Sequence, residues 1–266
     1  MSTPSPAQSP RLVPGDFLSL LSGHGVVPLP SAQGVSSPIP TQATTVFAFR
    51  FAGGILMGGD RRATAGNVIV TDRVEKILEI DSHSLLAIAG VPATAFEMAR
   101  VLQTSFEYYR RSQMQSLSLP AKVRALARLL RENLPMALQG VGLVVPLFAA
   151  LDSSVSPPRP ELYFYDPLGA QFQAVGCAAS GSGSGTIRSV LSFQERFGSP
   201  HPARMTLDEA IRLALRLLVV AAEFDSATGG IQPEAKAFAT LKVLGPEGIQ
   251  TISNEQQAAN WEASHD

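Results

Sequence analysis

The chain has one cysteine, Cys177, so no disulfide can form within it. That usage fits a reducing compartment. Histidine is also scarce. His24, His83, His201 and His265 lie far apart, and without a second cysteine they do not make a structural zinc site of the usual ligand types. No apolar run reaches the roughly 18 residues that a membrane-spanning helix needs. The longest, 141–151, is interrupted by Pro146. The first residues lack a basic stretch followed by a long apolar one, the pattern of a secretory signal. Formal net charge is -1, which leaves no overall field to recruit nucleic acid or an anionic membrane surface. These absences lead to the expectation of a cytoplasmic protein with no nucleic-acid or membrane partner, no metal and no cofactor.

What is present divides unevenly. Residues 1–43 hold Pro4, Pro6, Pro10, Pro14, Pro28, Pro30, Pro38 and Pro40, many serines and almost no charge. Such a segment buries too little apolar surface to offset its ordering entropy. One apolar patch, 17–21, could dock on something. By composition the segment is either a solvated tail or a propeptide. The remaining chain, rich in apolar residues, is long enough for one large domain.

The globular part opens with strands. Thr45, Phe47, Phe49 and Phe51 alternate with smaller or polar residues, Gly53-Gly54 marks a turn, and 55–59 reads as the returning strand. Residues 67–81 form a third extended run and 84–89 a fourth. Two helical stretches follow, one through Phe96, Ala99, Leu102 and Phe106, the other through Val123, Leu126, Leu130 and Leu134, with Pro135 ending its regular part. Strands resume at 143–151, 161–165 and 170–175. A glycine-serine stretch, 180–185, leads into a helix over 187–197. Thr206 with Glu209 is a capping box that opens a helix through Ile211, Ala214, Leu218 and Ala221. Strands near 237–243 and 248–252 precede a polar tail, 253–266. The order of strands, two helices, strands, two helices, strands fits two sheets face to face with helices outside each.

Three residues stand out chemically. If 45–52 and 55–59 form a hairpin, Asp60 lies close to Thr44. In the third run, parity puts Lys76 on the face of Val68, Val70, Val74, Leu78 and Ile80, the one cation pointing to the apolar side. A buried lysine needs a partner, and Asp60 can supply one beneath the Thr44 hydroxyl. Spacing alone leaves two readings: a structural ion pair, or the activating pair of a threonine nucleophile. Cys177 has no histidine nearby in sequence and reads as a small buried hydrophobe. Residues 181–185 lack the lysine of a phosphate-binding loop.

The segments Thr44-Thr45-Val46, Gly59-Asp60-Arg61-Arg62-Ala63-Thr64-Ala65-Gly66 and Val74-Glu75-Lys76 resemble the pattern of proteasome beta subunits of the bacterial, actinobacterial-like type. So do Ala89-Gly90, Gln139-Gly140 with Val144-Val145-Pro146-Leu147, Gly181-Ser182-Gly183-Ser184 and Asp225-Ser226-Ala227-Thr228-Gly229-Gly230. The resemblance implies an α+β fold, the four-layer αββα sandwich of the N-terminal-nucleophile hydrolases. It implies a threonine endopeptidase whose nucleophile, Thr44, is freed by autocleavage after Ala43. Residues 1–43 are then a propeptide, 44–252 the catalytic domain and 253–266 a tail. The family usually has glycine where Ala43 stands. Asp60 and Lys76 match its activating pair, and Gly90 its oxyanion donor. Ser182, Asp225 and Thr228 match positions that orient the amine and a water; serine is usual at the last. Thr64 matches the residue whose backbone pairs with substrate. Ala63, Val74, Leu78, Ile88 and Pro92 match the pocket for the residue before the scissile bond, which implies a preference for large apolar residues there. The implied partners are proteasome alpha subunits, other copies of the chain in a seven-membered ring stacked on its twin, an ATP-dependent unfoldase or other activator, and unfolded protein substrates.

Overall fold

The structure, a computed structural model, describes residues 44–65, 68–235 and 237–264. Among them are twelve strands and six α-helices. The strands are β1 (Thr45–Phe51), β2 (Gly54–Gly59), β3 (Ala63–Ala65), β4 (Val68–Thr71), β5 (Ile77–Asp81), β6 (Ser84–Ala87), β7 (Leu147–Asp152), β8 (Arg159–Tyr165), β9 (Gln171–Ala174), β10 (Cys177–Gly181), β11 (Thr240–Gly245) and β12 (Gly248–Thr251). The helices are α1 (Pro92–Gln113), α2 (Leu119–Glu132), α3 (Leu134–Leu138), α4 (Ser184–Phe197), α5 (Leu207–Phe224) and α6 (Asn254–Glu262).

One antiparallel sheet runs β10-β1-β2-β11-β12 and the other β5-β6-β7-β8-β9, with β3 and β4 as a separate hairpin. Three apolar layers hold the sandwich together. Phe47, Phe49 and Phe51 face the helix side of the first sheet, where α4 and α5 contribute Ile187, Leu191, Leu215 and Leu218. Val46, Ala48, Ile55 and Met57 face the second sheet and meet Ile77, Leu85, Leu147 and Leu162. Beyond the second sheet, Leu86, Ile88 and Phe148 pack against α1 and α2 through Leu102, Phe106, Leu126 and Leu130. The size alternation in β1 thus sorts large rings toward helices and small side chains toward the other sheet. Both faces are buried, as the middle of four layers requires.

Several sequence expectations need correction. The third extended run is not one strand. Residues 68–71 leave the sheet to pair with Ala63–Ala65, and only 77–81 joins the second sheet. Val68 and Val70 are 66% and 64% exposed, so the parity that grouped them with Lys76 fails; Lys76 lies in the irregular stretch before β5. The expected strand 143–151 begins only at Leu147, with Val144 forming an isolated bridge to Gly90. Cys177–Gly181, read as a glycine-serine connection from Ser180 onward, is the edge strand beside β1. The polar tail contains α6, whose start is a capping box of Ser253 and Gln256. Gln257 secures it by donating to the Ala239 and Ile252 carbonyls at 3.1 Å each. Among the described residues no helix is long and apolar enough to cross a membrane.

Candidate active site

The β1–β2 hairpin sets the geometry at Thr44. Val46 pairs with Gly59, so the chain leaving β2 turns beside the residue that opens β1. The Thr45 amide donates to Asp60 Oδ1 at 2.9 Å, and the Asp60 amide donates to the Thr45 carbonyl at 3.2 Å. Thr44 itself is buried.

Lys76 reaches this corner from the second sheet. Val74 donates to the Arg61 carbonyl at 3.0 Å and Ile88 to the Lys76 carbonyl at 2.9 Å, which fixes the irregular stretch on both sides of the lysine. Its ammonium donates to Asp60 Oδ1 at 2.6 Å, with both side chains almost completely removed from solvent. Asp60 Oδ2 accepts from the amides of Arg62 at 3.0 Å and Gly229 at 2.9 Å. Four donors therefore meet one carboxylate, and three are backbone groups. This satisfies the carboxylate of a pair whose desolvation would otherwise be costly, while the ammonium has Asp60 as its acceptor. Burial nevertheless holds the Lys76 ammonium below the ordinary lysine value of 10.5, against the opposing pull of Asp60. Arg62 binds the surrounding segments together through Asp72 Oδ1 at 3.0 Å and the Ser226 carbonyl at 3.2 Å.

The opposite flank comes from β10 and the loop after α5. Gly181 lies opposite Thr45 with φ +96°, and a side chain there would strike the Thr44 carbonyl. That carbonyl accepts from the Ser182 amide at 3.1 Å. Ser182 is exposed. Thr228, buried, donates its hydroxyl to Asp225 Oδ2 at 2.5 Å. It also lies 2.6 Å from the Thr45 hydroxyl. Thr44, Asp60, Lys76, Ser182, Asp225 and Thr228 are thus linked, directly or through Thr45, in one hydrogen-bonded cluster.

Gly90 bridges to Val144. The flanking bonds run from Val145 to the Ala89 carbonyl and from Val91 to the Leu143 carbonyl, both 2.8 Å. In such an antiparallel pair the N–H of Gly90 points away from its partner and is left for another acceptor. The glycine is required by its φ of +119° and by the Leu143 carbonyl, which a side chain would strike. Gly90 lines a cleft of about 540 Å³ together with Leu143, Val145, Phe164, Ser182 and Arg188.

None of Ala63, Thr64, Val74, Leu78, Ile88 and Pro92 lines that cleft. Ile88 is 3% exposed and packs, with Leu78 against the same cluster, into the core under α1 and α2. It therefore offers little surface to a substrate. Ala63, Val74 and Pro92 are half-buried, and Thr64 is a buried hairpin residue opposite Ile69.

No sequence motif singles out Thr45, which is fully buried and makes four polar contacts in the cluster. Its one signal was a hydroxyl on a strand whose alternate positions are phenylalanines. Cys177 is half-buried on β10; burial pushes its thiol up to about 11, so it is protonated near neutrality and a poor nucleophile.

A four-layer αββα sandwich, with a threonine at the head of an inner strand and a buried lysine–aspartate pair beside it, defines the class of N-terminal-nucleophile hydrolases. Within that class the relatives are specific. The family model described as proteasome subunit matches residues 41–232. Proteasome subunit beta of Acidimicrobium ferrooxidans is 37% identical over 94% of this chain and 89% of its own length. The subunits of the same name from Acidothermus cellulolyticus and Streptomyces griseus are 35% and 33% identical, over 93% and 94% of this chain and 80% and 82% of their own lengths. The chain belongs to the proteasome subunit family, and its beta-type relatives mark it as a threonine-type endopeptidase subunit of a core assembled with alpha subunits.

Proposed function

We propose that Thr44, freed by autocleavage after Ala43, is the nucleophile with which this subunit hydrolyses peptide bonds of unfolded proteins inside a closed chamber. The observation that carries the reading is the Lys76–Asp60 pair, buried and directed to the head of β1, where Thr45 bonds the same carboxylate. In the uncleaved chain the Thr44 nitrogen belongs to the peptide bond with Ala43 and cannot act as a base. Cleavage makes it an α-amine, which titrates at about 8 when unperturbed and so suits a general base near neutral pH.

In hydrolysis the amine takes the hydroxyl proton, directly or through a water, as Oγ1 attacks the scissile carbonyl. The Lys76 ammonium favours the ionised hydroxyl and, as a like charge, lowers the basicity of the amine; Asp60 keeps Lys76 charged and oriented. The free N–H of Gly90 serves the oxyanion. Collapse breaks the C–N bond, and the leaving amine takes the proton held by the Thr44 ammonium. Water then attacks the ester, the amine again acting as base, and Thr44 is regenerated. Ser182, Asp225 and Thr228 orient the amine and its water. An extended substrate pairs with the backbone at Thr64 by strand addition. Ala63, Val74, Leu78 and Pro92, with Ile88 buried behind them, supply an uncharged neighbourhood that selects large apolar residues before the scissile bond. The subunit forms a seven-membered ring stacked on its twin, between alpha rings through which an ATP-dependent unfoldase or other activator feeds substrate.

The test is intact-mass analysis after co-expression with the alpha partner, with peptidase activity measured on the same particles. Wild type should begin Thr-Thr-Val and be active, and Thr44→Ala should be assembled and inactive. An active particle that keeps residues 1–43, or an active Thr44→Ala particle, rules the reading out.

A further inference from the structure

We propose that Thr45 is a positioning residue whose hydroxyl joins the two halves of the catalytic cluster and locks the peptide unit that carries Thr44. This rests on the reading of Thr44 as nucleophile.

The direction of each hydrogen bond can be assigned. Asp225 is a carboxylate and only accepts, so the Thr228 hydroxyl spends its proton on Oδ2. In the 2.6 Å contact between the two threonines, Thr45 must then donate and Thr228 accept. The Thr45 oxygen accepts in turn from the Gly183 amide at 2.9 Å. One chain therefore runs from the Gly183 N–H through Thr45 and Thr228 to Asp225, with every proton committed. Gly183 makes room for it: a Cβ there would lie 2.6 Å from the Thr228 hydroxyl oxygen and 2.7 Å from that of Thr45. Bonds in such a chain polarise one another when buried and ended on a charge.

The same residue holds the other half through its backbone. The Thr45 N–H and the Lys76 ammonium share Asp60 Oδ1. The carbonyl of the 44–45 peptide unit accepts from the Ser182 amide, so that unit is fixed at both polar ends. Side chain and backbone of Thr45 together tie the loop 181–183 to β1 and set where Thr44 stands relative to Lys76. The Thr45 side chain reaches neither Lys76 nor Asp60 in these bonds, so its effect on the chemistry is through placement. A misplacement of about 1 Å costs a catalytic step on the order of 100-fold.

Thr45→Val keeps the shape and removes the hydroxyl. Assembled particles carrying it should lose about 10- to 100-fold in kcat on a fluorogenic peptide with KM within about twofold. Thr45→Ser should recover most of the loss. Thr45→Cys, close in shape to the serine variant though slightly larger and a weak donor, should fall between valine and serine, and it decides the matter if the valine variant does not assemble. Combining Thr45→Val with Thr228→Val should cost little beyond the worse single variant, because both break one chain. Full kcat in Thr45→Val, serine no better than cysteine, or multiplicative losses in the double variant would overturn the role. Thr44→Ala separates the two claims. If it is inactive while Thr45→Val is unimpaired, only the positioning role fails. If it is active, the nucleophile reading fails.

Discussion

Lys76→Met removes the ammonium and keeps an unbranched stem of similar length. Breaking a buried pair usually costs about 3–5 kcal/mol, because the remaining charge is left alone. Here Asp60 keeps the amides of Thr45, Arg62 and Gly229, so the cost should sit near 3 kcal/mol, at the bottom of that range. A domain with roughly 5–15 kcal/mol of stability tolerates this. The chemical step fares worse. Loss of the charge that activates the hydroxyl is of the kind that lowers rates about 10²–10⁴-fold, roughly 2.7–5.4 kcal/mol at the barrier. Intact mass of the co-expressed particle should show residues 1–43 retained, and peptide hydrolysis should be absent. Supplying Thr44 with a free amine from a separately cleaved leader isolates the chemical step, and kcat should still fall by at least 100-fold. Lys76→Arg should not rescue it, because the branched guanidinium overfills a site sealed from solvent. An assembled Lys76→Met particle with kcat within tenfold of wild type would refute the role given to the ammonium.

Three further outcomes follow from the same geometry. Burial lowers the Lys76 pKa from 10.5, so the alkaline limb of kcat/KM should fall below pH 10.5. Between the folded and unfolded values the unfolded state binds the extra proton, so this residue's contribution to stability rises with pH; the activity loss should therefore appear without a matching drop in Tm, and a limb at or above 10.5 counts against the assignment. In a peptide series differing only before the scissile bond, leucine, tyrosine or phenylalanine should exceed arginine and glutamate by about one to two orders of magnitude, from about 1.5–3 kcal/mol of apolar burial realised in the transition state; equal rates sink the pocket assignment. Lys242 on β11 binds Glu75 at 2.8 Å and Glu79 at 2.9 Å, tying the stretch that carries Lys76 to the first sheet. Both glutamates are half-exposed, so Lys242→Met should cost only about 1 kcal/mol, a Tm change of about 2–4 °C by calorimetry.

Much of the scaffold is legible because it is local. The phenylalanines of β1, the Gly53-Gly54 turn and the Thr206–Glu209 box each declare an element within a few residues, and the structure has all three. Cys177–Gly181 is built of small residues with little strand propensity, and becomes a strand only because β1 pairs with it. The break at 72–76 was hidden because Val68, Ile69 and Val70 look like core strand yet lie on an exposed hairpin. The need of a buried cation for a partner points to Asp60 for Lys76, and the two are paired, although the parity of the run does not hold. The Ser253–Gln256 capping box is local, but the helix it opens is short and polar, so composition alone reads it as a tail. Thr45 escaped notice because its partners, Gly183 and Thr228, are far away in sequence, and no local pattern reports such pairing.

The central claim is that the hydroxyl of Thr44 forms the covalent intermediate. Assembled particles treated with a peptide carrying a hydroxyl-reactive electrophile, then digested and sequenced by mass spectrometry, report the modified residue directly. The adduct should lie on Thr44 at a new N-terminus beginning Thr-Thr-Val, and should be lost in Thr44→Ala. An adduct on Cys177 or another side chain, with hydrolysis blocked to the same extent, would contradict it.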